Sequence, residues 1–391
     1  MPQHQRNIIV LSTTIFLAAF SWNQIVPFLP LFLKELGVDR NLVQWSYGIF
    51  VAQALAGMIA QPFWGKIGDT VGRKPMVIRA GLCLTGIYLG MSFCNAPWQL
   101  AALRFLNGAL TGFIPGSLAL IATNTPKELA PKYVATAQTM TAAGVILGPA
   151  IGWMAAAAIG FRASMRVSGA AVLLSTLLVV LFVRESSKTG PAEKTSLLQD
   201  FLMAVRSRTL ASVMFAVLLM YAFASAVYPV LAVHLGTLDG NSPHWFPGVV
   251  FSLPAVAMVL SAHRWNRMGE LWGYNRVIML GLVGAGIGGV VLTFVHNIWI
   301  FAVVYFAAGL FLASVLPSTG ALICLRVEES FRGRAYGMQT GAATFGALLA
   351  FLGAFWVGSA FSIPAIFLFV GIALVVGAPV FYLIAHKWPE K

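Results

Sequence analysis

Charge is scarce in this chain. Of its 391 residues, 9% are Asp, Glu, Lys or Arg, and only 12 residues are acidic. Ordinary soluble domains contain about 25% charged residues, which cover the surface that faces water. Because 59% of the residues are hydrophobic, the chain lacks the polar surface that a water-soluble fold of this length needs. The composition therefore predicts an integral membrane protein.

Cysteine is also rare, and the features of an enzyme are missing. The three cysteines (Cys83, Cys94 and Cys324) show neither the spacing of a disulfide framework nor that of a metal site. The sequence contains no nucleotide-binding loop, no nucleophile–base pair and no stretch long enough for a large soluble domain. We therefore expect neither enzymatic activity nor a cofactor.

Long apolar runs fill most of the chain. A helix needs about 20 apolar residues to cross a bilayer, and twelve such runs are present. Helices are expected rather than a barrel, because the runs do not alternate and every backbone group must be paired inside lipid. A cleavable signal peptide is an alternative only for the first run. It is disfavoured there, because that run continues past residue 20 as a full span. The predicted spans are 8–32, 42–64, 76–95, 98–122, 134–158, 164–183, 210–232, 246–263, 277–295, 298–323, 337–360 and 362–385.

Basic residues are distributed unevenly between these spans. With both termini placed in the cytoplasm, 20 of the 25 Lys and Arg residues fall in cytoplasmic segments, as the positive-inside rule requires. The net charge of +13 is thereby explained by topology and by anionic lipid headgroups, so no binding to nucleic acid is expected. The charged segment 61–76, QPFWGKIGDTVGRKPM, is assigned to the cytoplasmic side.

The chain also repeats itself. A shift of 201 residues aligns the halves without gaps and places, for example, Gly72 on Gly273. Such parallel repeats are typical of secondary transporters. We predict an N-terminal six-helix bundle at 1–183, a cytoplasmic linker at 184–209 and a C-terminal six-helix bundle at 210–391. From Thr195 onward the linker is predicted to form a short amphipathic helix on the membrane surface, with an apolar side made of Leu198, Phe201, Leu202 and Val205.

Three motifs in chain order resemble those of the major facilitator superfamily, in particular of its bacterial twelve-span multidrug efflux branch of drug/proton antiporters. Residues 65–74 (GKIGDTVGRK) resemble the signature loop after the second span. Residues 100–112 (LAALRFLNGALTG) resemble the fourth-helix motif, and 143–153 (AGVILGPAIGW) the fifth-helix motif of antiporters. The resemblance implies an all-α polytopic fold of twelve transmembrane helices in two pseudo-symmetric six-helix bundles, placed in the bacterial cytoplasmic (inner) membrane.

The first motif is a candidate conformational gate. Its glycines permit a tight turn, and Asp69 is suited to accept hydrogen bonds from amides at a helix N-terminus. Glu128 is a candidate partner for Arg73, and the resemblance implies further contacts near residues 336–339 that close the inside. The alternative is a solvated basic loop. The predicted gate residues are Gly65, Gly68, Asp69, Gly72, Arg73, Lys74 and Glu128.

Arg104 is placed within the fourth span, where a cation costs roughly 2.5–3.5 kcal/mol on insertion scales. Asn107 and Thr111 follow on the same helical face. Arg104 either lines a cavity and senses substrate or protonation there, or it has a structural role and binds backbone carbonyls. If helices one, four, seven and ten line the cavity, as the resemblance implies, further candidates are Trp22, Asn23, Gln24, Tyr221, Ser225, Tyr228, Tyr305 and Ser318. Gln53 on the second span and Gln138 on the fifth are candidates for additional amide groups.

Small residues mark the fifth span. Gly144, Gly148, Pro149 and Gly152 share one face and permit close helix packing. The resemblance assigns this face to sealing the substrate path and favouring antiport, and general membrane packing is the alternative.

No Asp or Glu is predicted at membrane depth, although proton antiporters commonly use a buried carboxylate. The candidate protonation sites are Asp69, Glu35 and His234. Proton coupling is therefore an expectation from the resemblance alone.

Together these features predict a monomeric transporter that exports amphipathic small molecules by alternating access, coupled to proton influx. The alternative is a lipid or lysolipid translocase, or an uncoupled facilitator, of the same fold. The expected partners are an amphipathic or lipid-like substrate, protons and membrane lipids.

Overall fold

A computed structural model of the chain describes residues 3–110, 112–126, 129–185, 207–239, 241–243 and 245–386. Within these residues the structure is helical, and its only extended pairing is an isolated bridge between Asp239 and Asn297. The all-α prediction is therefore confirmed. The amphipathic linker helix predicted from Thr195 onward lies outside the described residues.

The helices follow one another with short connections. The first half contains α1 (Gln3–Ile25), α2 (Leu29–Glu35), α3 (Leu42–Val71), α4 (Arg73–Ser92), α5 (Pro97–Leu110), α6 (Phe113–Asn124), α7 (Ala130–Ile159) and α8 (Phe161–Phe182). The second half contains α9 (Arg208–Val227), α10 (Leu231–Leu235), α11 (Phe246–Trp272), α12 (Tyr274–Leu292), α13 (Ile298–Leu312), α14 (Val315–Arg326), α15 (Glu329–Ala360) and α16 (Ile363–His386). A single 3-10 turn, Val26–Phe28, joins α1 to α2.

Within the described residues, twelve segments are long and apolar enough to cross a membrane, which confirms the predicted number. Three of them are interrupted: α1 with α2, α5 with α6, and α13 with α14 each form one span. The largest difference from prediction is in the eighth span, which was expected to end near residue 263. Helix α11 instead continues through Gly269 to Trp272 and ends at Gly273, whose positive φ of 89° breaks the helix.

Contacts divide the chain into two compact units. One unit comprises Met1–Glu193 with Pro243–Ser252, and the other comprises Lys194–Ser242 with Leu253–Lys391. In the first unit α1 packs against α7 and α8, α3 against α5, and α4 against α8. A buried apolar cluster joins α1, α4, α6, α7 and α8. In the second unit α9 packs against α15 and α16, and α12 against α13 and α16.

The internal repeat extends to individual contacts. The indole Nε1 of Trp64 donates to the carbonyl of Ala109 at 2.7 Å, and Trp265 donates to the carbonyl of Leu310 at the same distance. Donors and acceptors are both 201 positions apart (265 − 64 and 310 − 109). Each half therefore uses the same bond to join equivalent helices.

Candidate functional site

The charged segment after the second span is mostly helix and turns at one residue. Helix α3 continues through Val71, and only Gly72 has a positive φ, of 113°. The prediction that Gly65 and Gly68 form a tight turn is therefore wrong. Nothing after Pro62 prevents helical hydrogen bonding, so the apolar helix extends past the membrane boundary before the glycine ends it. Gly68 is buried, and a Cβ atom there would lie 3.4 Å from the Met76 side chain of α4, which is an ordinary contact distance.

The turn is held by a carboxylate from a distant part of the chain. Glu185 accepts hydrogen bonds from the backbone amides of Arg73 at 2.8 Å and Lys74 at 3.2 Å. These amides are the first two of α4, where the helix dipole favours an anion. A Cβ atom at Gly72 would lie 2.9 Å from a Glu185 carboxylate oxygen. Glycine is therefore required both by φ and by the approach of this carboxylate.

Glu185 caps the N-terminus of α4, an interaction of the kind that we predicted for Asp69. Glu185 was not among the predicted site residues, although an acid directly after the sixth span is a conspicuous feature in a chain with 12 acids. The side chains of Lys66 and Asp69 and the whole of Glu128 lie outside the described part of the structure. Their predicted roles in the gate stay predictions.

Further hydrogen bonds tie the end of α8 to the same junction. The Arg184 carbonyl accepts from the amide side chains of Asn7 at 2.9 Å and Asn124 at 3.1 Å. The ammonium group of Lys74 donates to the Val180 carbonyl at 3.0 Å. Segments from α1, α4, α6 and α8 therefore meet beside the turn at Gly72, at one end of the first unit.

A second cation in this region is stacked on an aromatic ring. The guanidinium carbon of Arg79 lies 3.4 Å from the centroid of the Trp64 ring. Cation–π contact of this kind stabilises a charge that is partly removed from water. Trp64 thus joins α3 to α4 through Arg79 and to α5 through the Ala109 carbonyl.

Arg104 is buried inside the first unit, with 1% of its surface exposed. Its Nη1 donates to Gln53 Oε1 at 3.3 Å, and its guanidinium lies 5.7 Å from the Trp22 ring centroid and 5.6 Å from that of Phe50. Among the described residues, its Nε and Nη2 have no hydrogen-bond partner. The structure thus brings together three predicted residues, Arg104, Gln53 and Trp22, around a cation with unused donors.

The other polar candidates of the first unit have different surroundings. Asn107 is fully buried, and neither its amide nitrogen nor its amide oxygen has a partner among the described residues. Asn23 donates to the Ala19 carbonyl of its own helix at 2.8 Å. Gln24 donates to the Ser164 hydroxyl of α8 at 2.8 Å, so it joins two helices.

Two more predicted cavity residues, Gln138 and Thr111, lie later in the chain. Gln138 is exposed on α7. Thr111 lies outside the described residues, so its predicted place on the face of Arg104 stays untested.

The glycines of the fifth span pack against α1. A Cβ atom at Gly144 would lie 2.7 Å from the Ala19 Cβ, and one at Gly148 would lie 2.8 Å from the Asn23 Cβ. At Gly152 it would overlap the backbone of α1 itself. Helices α1 and α7 therefore approach so closely that side chains are excluded along this face.

Helix α7 continues through Pro149 to its end at Ile159. Pro149 lies beside Gly148 on this helix, and its missing amide hydrogen removes one hydrogen bond from the helix. The geometry is compatible with both interpretations of this span, as a seal for the substrate path and as general helix packing.

In the second unit the predicted tyrosines line the interior. Tyr305 is 3% exposed, and its ring is stacked on Phe301 with centroids 5.9 Å apart. Tyr221 and Tyr228 are half-buried on α9 and just after its end. Tyr305 is 201 positions after Arg104, so the two halves place a phenol and a guanidinium at equivalent positions.

The residues near the start of the eleventh span bond within the second unit. The Tyr336 hydroxyl contacts the Cys324 Sγ at 3.1 Å and donates to the Gly320 carbonyl at 3.3 Å. Gln339 donates to the Thr319 hydroxyl at 3.0 Å. Helix α15 is therefore joined to α14 at this end of the unit.

Two of the predicted protonation sites are described. Glu35 is exposed at the end of α2. His234 is buried beyond the seventh span, with its ring centroid 5.3 Å from that of Phe301 and 5.0 Å from that of Phe367. Burial, and then the nearby His296, lowers the pKa of His234 to about 4. His234 is therefore neutral at physiological pH.

Comparison with known proteins identifies the family. The family model described as Major Facilitator Superfamily matches residues 11–261 and 210–391. The chain belongs to this superfamily. The superfamily consists of membrane transporters, and its two six-helix bundles agree with the repeat described above.

Among curated members of the superfamily, the chain is similar to proteins named Multidrug resistance protein MdtG. It is 27% identical to that of Proteus mirabilis (strain HI4320) over 98% of this chain and 95% of the relative. It is 30% identical to that of Enterobacter lignolyticus (strain SCF1) over 85% of this chain and 81% of the relative.

Solved structures with the superfamily fold are also similar. A mutant of the peptide transporter POT in complex with alafosfalin has a TM-score of 0.76 and 15% identity, covering 99% of this chain and 98% of that one. A mutant of the nucleoside transporter NupG has a TM-score of 0.78 and 13% identity, covering 97% of this chain and 99% of that one. At this identity the likeness concerns the fold alone.

Proposed function

We propose that this protein exports amphipathic small molecules across the bacterial cytoplasmic membrane by alternating access, driven by proton influx. The observation that carries the proposal is the similarity, over 98% of the chain, to a protein named for multidrug resistance. The motifs in residues 65–74, 100–112 and 143–153 support it, and the last of these resembles the motif of antiporters.

The polar centre around Arg104 is the proposed substrate- or proton-sensing element. A buried guanidinium with two unpaired nitrogens and aromatic neighbours offers both charge and apolar surface to a ligand. Mixed lining of this kind suits an amphipathic molecule, since most ligand sites combine apolar walls with a few polar groups. Asn107, with an unpaired buried amide, is assigned to the same centre.

The junction at Gly72 is the proposed gate. It joins α1, α4, α6 and α8 through Glu185 and the Arg184 carbonyl, and we propose that these segments move together. In the proposed cycle, this junction makes and breaks contacts with the second bundle when the cytoplasmic side closes and opens. We assign both termini to the cytoplasmic side, and we propose that a monomer with bundles at 1–183 and 210–391 carries out the cycle.

Proton coupling is assigned to a carboxylate rather than to a histidine. His234 is disfavoured because its pKa of about 4 keeps it neutral at the pH of both compartments. Asp69 and Glu35 are the acids that the proposal retains.

One observation favours an uncoupled facilitator or a lipid or lysolipid translocase instead. In the described spans acids occur only near the ends, as Glu35 in Gln5–Glu35 and Glu270 in Phe246–Trp272. Antiporters that carry protons through the membrane commonly use an acid at greater depth.

Accumulation in cells separates these functions. Cells that express the protein are expected to accumulate less of a fluorescent amphipathic cation or anion than cells with an empty vector, and a protonophore is expected to abolish the difference. A fluorescent lysophospholipid serves as the competing substrate. If only the lysophospholipid is moved, and the protonophore has no effect, the translocase replaces the proposed exporter.

A further inference from the structure

A small cleft with basic lining lies at one end of the second unit. It has room for about one water molecule, with a volume of about 10 Å³. Its polar lining consists of Arg208, Thr209, Ser212, Asn275 and Arg326. No acid lines the cleft among the described residues. The Nη2 atom of Arg208 is buried and has no hydrogen-bond partner in the described part of the chain.

The internal repeat shows what the equivalent place in the first unit contains. Asn275 is 201 positions after Lys74, and both lie in the first turn of their helices, α12 and α4. In the first unit the backbone amides of Arg73 and Lys74 bind the Glu185 carboxylate. One half of the protein thus holds an anion, from its own chain, at this helix terminus.

The second half lacks that carboxylate. The residue 201 positions after Glu185 is His386. The backbone amides of Tyr274 and Asn275 have no hydrogen-bond acceptor among the described residues. At the same place the second half has two arginines that the first half lacks. Arg208 and Arg326 stand 201 positions after Asn7 and Thr125.

We propose that this cleft binds a phosphate group supplied from outside the chain. Two guanidinium groups, a helix N-terminus and the hydroxyl of Thr209 form the donor set that phosphate oxygens prefer. The cleft admits one phosphate oxygen, and the remaining oxygens contact Arg326, which is exposed. The site lies where the apolar spans α9, α12 and α14 begin or end, at the level of lipid headgroups. The phosphate comes from an anionic phospholipid or from a soluble phosphate.

Thermal unfolding of the full-length protein in detergent tests this site. The probes are a short-chain phosphatidylglycerol, inorganic phosphate, and a galactolipid of equal chain length that lacks phosphate. Phosphatidylglycerol is expected to raise the unfolding midpoint in a saturable manner, and the galactolipid is not. An equal effect of inorganic phosphate at matched concentration would identify the soluble source, and a much weaker effect would identify the lipid.

Variants connect the effect to the cleft. Arg208→Gln with Arg326→Gln is expected to weaken the apparent affinity about tenfold or more. Asn275→Asp, which places a carboxylate in the cleft as Glu185 does in the first unit, is expected to weaken it similarly without lowering the midpoint of the ligand-free protein. The matched control Arg276→Gln, an exposed arginine beside Asn275, is expected to change nothing.

Three results would overturn the proposal. The first is no stabilisation by either phosphate probe, and the second is equal stabilisation by the galactolipid. The third is an equal loss of affinity in Arg276→Gln and in the double variant, which would indicate general attraction to a basic surface. None of these results depends on transport, so the proposed efflux function can fail or succeed independently.

Discussion

At the scale of single residues, Arg104 and Glu185 are the charged groups at the two candidate sites of the first unit. Arg104 is a cation with 1% of its surface exposed and with two nitrogens that lack partners among the described residues. A buried charge without an ion-pair partner lowers stability, and its presence in a membrane span supports the proposed sensing role. Glu185 differs from Arg104, because each of its two carboxylate oxygens accepts a hydrogen bond from a backbone amide.

Two replacements of Arg104 test whether transport depends on its charge or on its side-chain volume. We expect Arg104→Met to reduce transport of an amphipathic substrate at least tenfold while membrane insertion and yield stay normal, because the variant keeps the volume and removes the cation. Arg104→Lys, which keeps a charge, is expected to retain part of the activity. The control is Arg166→Met, since Arg166 is exposed on α8. Transport by Arg104→Met at the level of the unaltered protein would assign Arg104 a structural role.

Loss of the Glu185 charge should loosen the junction at Gly72. Glu185→Gln removes a charge-assisted helix cap, an interaction worth about 1 kcal/mol. The unfolding midpoint is expected to fall by a few degrees. Glu270→Gln is the matched control, because Glu270 is exposed and, among the described residues, accepts only from Asn266, at 3.1 Å. Equal midpoints for Glu185→Gln and the unaltered protein would show that the cap does not hold the junction.

The sequence predicts the site of Arg104 but not that of Glu185. Arg104 stands out because a cation inside an apolar run is rare, and its neighbours Gln53 and Trp22 were predicted with it. Glu185 could not be placed, since its partners Arg73 and Lys74 are 112 and 111 positions away in the chain. Only the three-dimensional packing of α4 against α8 brings them together.

At the scale of helices, length and hydropathy predict the elements well and their ends less well. All twelve spans were expected, but α3 and α11 continue about one to three turns past the apolar runs. Charged residues were taken as the sign of a loop, whereas they are compatible with a helix that leaves the membrane. The true breaks are Gly72 and Gly273, with φ of 113° and 89°.

The contact between α1 and α7 can be tested with a pair of glycines. Gly152→Ala places a methyl group onto the backbone of α1, and we expect a lower unfolding midpoint and less monodisperse protein, with a cost of about 1–3 kcal/mol. Gly86→Ala on α4 is the control, because nothing lies within 4 Å of the added atom. It should be neutral or slightly stabilising, since alanine favours helix. Equal tolerance of both would mean that α1 and α7 are not held together at this face.

At the scale of the whole molecule, the two halves share their packing and differ in charge. The bonds of Trp64 and Trp265 and the turns at Gly72 and Gly273 recur at the same offset. Arg79, Arg104 and Glu185 instead correspond to Leu280, Tyr305 and His386. The repeat could be predicted from the sequence. The proposed cycle assigns charge sensing to Arg104 in the first half, and the equivalent position of the second half holds the phenol of Tyr305.

Coupled export is the central claim, and transport by purified protein in sealed liposomes tests it most directly. A pH-sensitive dye inside the liposomes reports proton movement when an amphipathic substrate is added. We predict proton flux that requires both substrate and protein, runs opposite to the substrate, and is lost in Arg104→Met. Substrate movement at the same rate with and without a pH gradient, and without proton flux, would contradict the account.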